Sequence, residues 1–331
     1  MHNFGHDEWH HSTAALRRWL LARNPHAHPR SPLAAFGPVH SEGHGGGDGT
    51  AFVTASIKFK TSRTMLQTLF PTNDFSFRSP ATVAYATLAV TTLRDAAAPG
   101  GGCSRHRYGL YVHGVQYKSA RDRGTVYSGS YLVIVFEDPA AAASSCEDDG
   151  QGTMGWPRLF AALDVSRSAD AAYSLVAAWQ GAPFARFALR DLQDAQPTGH
   201  DGSSGDDDGD EGVLWYRYVP AVGEPGKSDV EYAVFAPPAT TSTASTTATA
   251  SGGKASGKRY IAQGASFSFQ SPPESQPQDD CKGTLPPPLP PTLAQAVATL
   301  AQVPVYAITR GQIVEGTGTG GLVNAASARR V

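Results

Sequence analysis

Apolar runs separated by glycine, proline and small polar residues predict a mainly β chain with a few short helices. The two longest runs, residues 108–117 and 125–137, are rich in Tyr, Val, Leu and Ile and flank a polar turn carrying Lys118, Arg121, Asp122, Arg123 and Gly124. This is the pattern of a strand, a tight connection and a second strand, because β-branched and aromatic side chains suit a pleated, half-buried surface. Helical periodicity is confined to short segments. Size agrees with this class: 331 residues, 40% of them hydrophobic, suffice for one large β domain, and such domains run to about 200–250 residues as a single unit.

Residues 1–50 read as a flexible low-complexity tail, and residues 51–331 as the β domain. The tail holds His2, His6, His10, His11, His26, His28, His40 and His44, without the regular spacing of a metal site, so no metal is expected. Residues 12–23 suit a short helix with Ser12 as N-cap. Residues 9–41 carry arginines and no acids, as mitochondrial transit peptides do; Asp7 and Glu8 depart from that pattern, and a cytoplasmic location is the main expectation.

Within the domain, residues 51–60 alternate as a strand. Residues 62–70 place Met65, Leu66, Leu69 and Phe70 on one helical face, with Ser62 as cap and Pro71 as stop. Residues 81–93 form a strand with Val83, Tyr85, Thr87 and Ala89 on one face, followed by a glycine-punctuated loop at 95–104. A soft insert near 140–153 precedes GWPRLFAALDV, which turns at Gly155 and Pro157 into another apolar run. Residues 172–180 and 183–190 read as a hairpin around Gly181. The insert at 196–211 holds Asp206, Asp207, Asp208 and Asp210 but lacks the glycine and distal glutamate of a calcium loop. Strands follow at 212–219 and 230–235, then a Thr/Ala/Ser/Gly insert at 237–257 that cannot build a core. A strand starts at Lys258, a proline-rich extended stretch covers 272–291, a helix capped by Thr292 covers 292–302, and the last strand is 305–315.

Composition and motifs exclude several classes. A net charge of −2 gives no bias toward nucleic acid or an anionic membrane. No run approaches the roughly 18 apolar residues of a membrane span. Cys103, Cys146 and Cys281 lack the spacing of a disulfide framework or a zinc site, which fits a reducing compartment. There is no GxSxG and no GxxxxGK[ST]. Gly316, Gly318 and Gly321 satisfy GxGxxG but sit near the C-terminus without the helix and strand that motif needs, so no nucleotide cofactor is expected.

The segments YGLYVHGVQYK, SGSYLVIVFEDP and GWPRLFAALDV, with residues 61–93, AWQGAPFARFAL, DEGVLWYRYVPAVG and PVYAITRGQIVEGTG, keep one order across residues 50–325. In that order they resemble the acetoacetate decarboxylase-like family, in particular its fungal-type members. The resemblance implies a mostly antiparallel β barrel or cone with few helices, symmetric oligomers, no cofactor, and cleavage of carbon–carbon bonds in β-keto acids through a lysine imine.

That chemistry needs a lysine amine kept neutral near pH 7 by desolvation and a neighbouring cation; acetoacetate decarboxylase is the standard illustration. In the family the lysine follows a Gly-x-Pro turn. Here Gly155-Trp156-Pro157 is followed by Arg158, which stays protonated and cannot form an imine. The family's Gly-Arg-Glu element is replaced by Gly150-Gln151-Gly152, its glutamate falls near Arg107, and the 81–93 strand has no carboxylate. Lys58 or Lys60 points inward if the first strand is part of the barrel wall, and alternation allows both to face the same side; the other reading is an ordinary solvated lysine at each. Arg158, Arg107 and His113 are therefore the candidate catalytic positions. Arg158, His113, Tyr111 and Tyr85 are the candidate contacts of a small keto acid or carboxylate, bound by cations and aromatic faces. For His113 the other reading is a hydrogen-bonded core histidine. The two functional alternatives are a non-catalytic binder and an active carbon–carbon lyase using a different lysine or mechanism.

Overall fold

The computed structural model describes residues 50–95, 104–138, 158–168, 172–195, 212–220, 228–237, 258–270, 291–317 and 328–331. The N-terminal tail and its helix, the three cysteines, the turn at Gly155 and Pro157, and nearly all of the inserts at 140–153, 196–211 and 237–257 and of the 272–291 stretch lie outside the described residues. So do Gly318 and Gly321.

The strands are β1 (Thr50–Ser62), β2 (Phe75–Phe77), β3 (Val83–Asp95), β4 (Ser104–Lys118), β5 (Val126–Glu137), β6 (Arg158–Phe160), β7 (Ala162–Ser168), β8 (Ala172–Trp179), β9 (Ala182–Asp194), β10 (Gly212–Pro220), β11 (Ser228–Ala236), β12 (Lys258–Phe269), β13 (Ala307–Thr317) and β14 (Arg329–Arg330). Two helices, α1 (Arg63–Gln67) and α2 (Pro291–Ala301), complete the described elements. The chain is mainly β, as its apolar runs predict. Neither helix is long and apolar enough to cross a membrane.

Local chemistry sets the boundaries. Ser62 caps α1 as expected, its hydroxyl accepting from the Met65 N–H. The helix stops at Gln67 rather than reaching Phe70, because the Thr68 hydroxyl donates to the Met65 carbonyl and the next three N–H groups bond three residues back. Helix α2 starts at Pro291, so Thr292 is not its cap: proline has no N–H to satisfy and its φ suits a first helical position. Strand β2 pairs with β4 and was not expected, since three residues are too short to show a period. Strand β14 pairs with β11, so the strand at 305–315 is not the last.

The hydrogen-bonded order is β14-β11-β10-β5-β4-β3-β1-β13-β12-β9-β8-β7. Most neighbours are antiparallel, as the mostly antiparallel expectation has it, and two parallel pairs make the sheet mixed. One edge of β5 is shared by two parallel partners, β10 at Gly129–Tyr131 and β6 at Val135–Glu137. The β10 contact is tight: a Cβ on Gly129 would lie 2.1 Å from the Gly212 carbonyl oxygen. The path is open from β14 to β7, yet its far end returns to β5. Ala161 alone separates β7 from β6, and its N–H donates to the Glu137 carbonyl.

This curl gives the sheet an inner and an outer face. The inner face carries the main core, including Ile57 and Phe59 of β1, Ala86 and Leu88 of β3, Tyr108, Leu110 and Val112 of β4, and Phe187 and Leu189 of β9. Rings meet across it: Tyr108 lies 6.1 Å from Phe187 and 5.9 Å from Phe269, and Phe136 lies 5.3 Å from Phe184. Helix α2 adds Leu293, Ala296, Val297 and Leu300, an i, i+3, i+4, i+7 stripe. At the end where β1 leaves and β5 enters, Phe70, Phe75, Phe77, Tyr117 and Tyr131 fill the interior. The outer face carries a smaller cluster of Ala89, Tyr111, Leu132, Val135, Val213, Trp215, Tyr232, Val234 and Ala236.

Candidate functional site

Strand β4 sends alternate side chains to opposite faces. Tyr108, Leu110 and Val112 enter the main core, whereas Tyr111 joins the outer cluster. Arg107 and His113 alternate with the inner residues, so both belong with Tyr111. The same count on β3 sets Tyr85 and Thr87 beside Ala89 of the outer cluster. Three of the four expected ligand contacts, His113, Tyr111 and Tyr85, therefore share the outer face, not the interior.

The outer polar groups are matched to one another. Arg107 Nε donates to Glu137 Oε1 at 3.2 Å, with side chains 17% and 11% exposed. His113 bonds through both ring nitrogens: Nε2 to the Thr87 hydroxyl at 2.6 Å and Nδ1 to the Ser130 hydroxyl at 2.9 Å. This is the hydrogen-bonded reading of His113. Gly114 beside it has φ +67, and β4 bulges there against β5. Burial pushes the Tyr111 phenol up to about 12, with Arg107 pulling the other way. Tyr85 lies under two amines, Lys58 Nζ at 5.0 Å and Lys60 Nζ at 5.7 Å from its ring centre. Both lysines thus lie on one side of β1, away from Ile57 and Phe59, so the inward option for them is not the one adopted. The reason is simple alternation: the core takes the odd residues of β1.

Arg158 opens β6, its backbone in register with Val135 of the outer cluster; its neighbour Leu159 packs on the main core.

The interior has its own polar end, where β3 leaves and β4 and β8 enter. Thr92 and His106 are register partners, and the Thr92 hydroxyl and His106 Nδ1 share a 2.9 Å hydrogen bond. Burial lowers the His106 pKa below its ordinary 6.5; Asp138 raises it, Arg94 lowers it and Asp164 raises it, each more weakly. Thr92 acts on the Tyr173 phenol as a side-chain hydrogen-bonding neighbour, but the contact falls outside strict hydrogen-bond geometry, and the buried hydroxyl has no other partner among the described residues. Burial pushes that phenol up to about 12, against the pull of Thr92, Arg167 and Arg94. The Tyr108 hydroxyl is buried without a partner among the described residues, and burial raises its pKa further still. Phe187 links the two phenols, 6.1 Å from the Tyr108 ring and 6.3 Å from the Tyr173 ring. At the rim Arg167 bonds Glu315 and lies 5.1 Å from the centre of the Tyr260 ring.

Chemically, this end offers hydroxyl groups and an imidazole at the edge of the apolar core, with Asp138, Arg94, Asp164 and Arg167 as the nearby charges. Thr92, His106, Tyr108 and Tyr173 were not singled out from the sequence as a site. The signal present was the period of two: His106 and Tyr108 share one face of β4 and Arg107 the other. Which face is interior is not a local property.

No family model matches the chain, and no curated protein matches it. Among solved structures it is similar to one described as structural studies of acetoacetate decarboxylase, at 11% identity and TM-score 0.49, covering 92% of this chain and 95% of that one. It is also similar to an acetoacetate decarboxylase from Legionella pneumophila, at 15% identity and TM-score 0.47, covering 83% and 86%. A third is an acetoacetate decarboxylase-like enzyme from Sphingomonas wittichii, at 12% identity and TM-score 0.46, covering 86% and 93%.

Proposed function

We propose that this chain is an acetoacetate decarboxylase-like protein that binds a small keto acid or carboxylate and does not decarboxylate it through a lysine imine. The observation that carries this reading is the placement of the described lysines. Lys58 and Lys60 lie over Tyr85 on the outer face, and Lys118 and Lys258 are exposed. Imine formation needs an amine desolvated inside the site, and none of these four stands in the main core. The sequence supports the same reading at the position matching the family's lysine, which is Arg158. A guanidinium holds a carboxylate through paired N–H donors and offers no nucleophilic nitrogen at neutral pH.

The test is borohydride reduction in the presence of acetoacetate, followed by intact mass. The expected result is no adduct, with carbon dioxide release by wild type equal to buffer and at most weak release by Arg158→Lys. A stable adduct, mapped to any lysine, establishes the active lyase instead. Robust release by wild type that Arg158→Ala abolishes also overturns the proposal.

A further inference from the structure

We propose that the open edge of β13 takes an added strand: an extended segment of a partner protein in which acidic and apolar residues alternate. This is independent of the ligand reading above and concerns a different surface.

Strand β13 lies between β1 and β12, but its two ladders differ in length. It pairs with β1 from Thr317 back to Ala307. It pairs with β12 only from Glu315 to Gln312, opposite Lys258 to Ile261. At Gly311 β12 no longer runs alongside: a Cβ there would lie 3.2 Å from the Ala262 Cβ and 3.1 Å from the Ala265 Cβ, so β12 crosses close to the bare backbone. Beyond that point Ala307–Arg310 has β1 on one side and, among the described residues, no strand on the other. Every residue from Val305 to Arg310 is exposed. The Tyr306 N–H donates to the Lys60 carbonyl at 2.9 Å, so the Ala307 N–H, one residue on, points to the open edge.

The two sides of this edge differ in chemistry. Ile308 is in register with Phe59, a core residue 1% exposed, and Tyr306 shares its side two residues away. Yet Ile308 and Tyr306 are 39% and 59% exposed, with Val305 beside them, so an apolar strip stands uncovered. On the other side Arg310 is in register with Lys58, and Ala307 with Lys60. Strand β1 contains no acid, and the one acid of β13, Glu315, is bonded to Arg167.

An added strand draws affinity from main-chain hydrogen bonds and specificity from alternate side chains. Apolar residues on one side of it would cover Tyr306 and Ile308. Acidic residues on the other would face Arg310 and the two lysines, and opposite charges across neighbouring strands are favourable. A second copy of the same edge fits badly, because it would set these cations against their own kind. The chain's own acidic run, 201–211, is built of Asp, Glu, Gly and Ser, none of which suits a strand. The occupant is therefore a separate polypeptide.

Fluorescence anisotropy of a short labelled peptide of alternating glutamate and valine, titrated with the full chain, tests this. Wild type is expected to bind it at least tenfold tighter than the matching lysine–valine peptide. N-methylation of the amides along one edge of the peptide should weaken binding at least tenfold. Arg310→Glu should weaken the glutamate–valine peptide at least tenfold and tighten the lysine–valine one. Tyr306→Ser should weaken the former as well. Both side chains are exposed, so melting temperatures should not change; if Tyr306→Ser melts lower, Arg310→Glu decides alone through its reversed preference. No binding by wild type overturns the proposal, as does binding indifferent to N-methylation or to Arg310→Glu. Equally tight binding of oligoglutamate or of a single-stranded oligonucleotide means attraction by charge alone and also overturns it. A wild-type dimer that Tyr306→Ser dissociates assigns the edge to a second copy instead.

Discussion

The two faces of β4 carry similar side chains in opposite conditions. On the outer face Arg107 and His113 are each engaged, by Glu137 and by the Thr87 and Ser130 hydroxyls. On the inner face Tyr108 is buried with a hydroxyl that has no partner among the described residues, on the same face as a histidine that uses one nitrogen for Thr92. A saturated network stabilises and orders its own strands. An unsaturated one in the same sheet is a cost to the fold that a ligand can relieve. Reading chemistry from residue types alone favours the outer set, which has more charge; reading it from unmet bonding capacity favours the inner set.

The largest effect expected from this contrast is at Glu137. Glu137→Ala leaves Arg107 in a site where both side chains are mostly covered. Removing one partner of such a pair costs about 3 kcal/mol, which lowers the melting temperature by about 6–12 °C in a domain of this size. Calorimetry showing no loss would mean the pair behaves as a surface ion pair and the outer face is not saturated in any useful sense.

His113→Ala should come next. It removes a part-buried ring and strands the Thr87 and Ser130 hydroxyls, for a loss of about 2 kcal/mol. Keto-acid binding should be unchanged, because the ring is on the far side of the strand. Lost binding with retained stability would reverse the assignment of the two faces.

The smallest effect is a pH dependence at His106. Its folded pKa is depressed below 6.5, chiefly by burial, with Asp138, Arg94 and Asp164 as the nearby charges. The neutral ring is therefore favoured in the folded state. Its contribution is fully present above pH 6.5 and is lost as pH falls below that value toward the folded pKa. Melting curves from pH 8 to 5 should fall more steeply for wild type than for His106→Gln below pH 6.5. Parallel curves would mean that His106 titrates as an exposed histidine and that the inner end is wet.

Much of the fold was legible because its signals are local. Period-two alternation gave β1, β3, β4, β5 and the β8–β9 hairpin to within a few residues, and Ser62 announced the cap of α1. Strand β2 was not legible, since Phe75–Phe77 is held by β4 rather than by any pattern of its own. The parallel pairs of β5 were not legible either, because a strand's sequence does not record its neighbour's direction. The candidate site suffered most. Arg107 and His113 were chosen for their chemistry, and nothing local says that the face opposite Arg107 meets Phe187 and Phe269.

The sequence by itself determined that the chain is mainly β, roughly where its longer strands lie, which neighbours along a strand share a face, and that Arg158 follows Gly155-Trp156-Pro157 where the resembling family has a lysine. Those are properties of neighbours along the backbone, set by pleat, turn chemistry and residue type. Only the tertiary structure decided which face is inside, that β6 returns to β5, that Glu137 meets Arg107, and that Tyr108 and Tyr173 are brought to one ring. The physical reason is that burial is set by what the sheet curls around, and the curl depends on contacts between strands far apart in the chain.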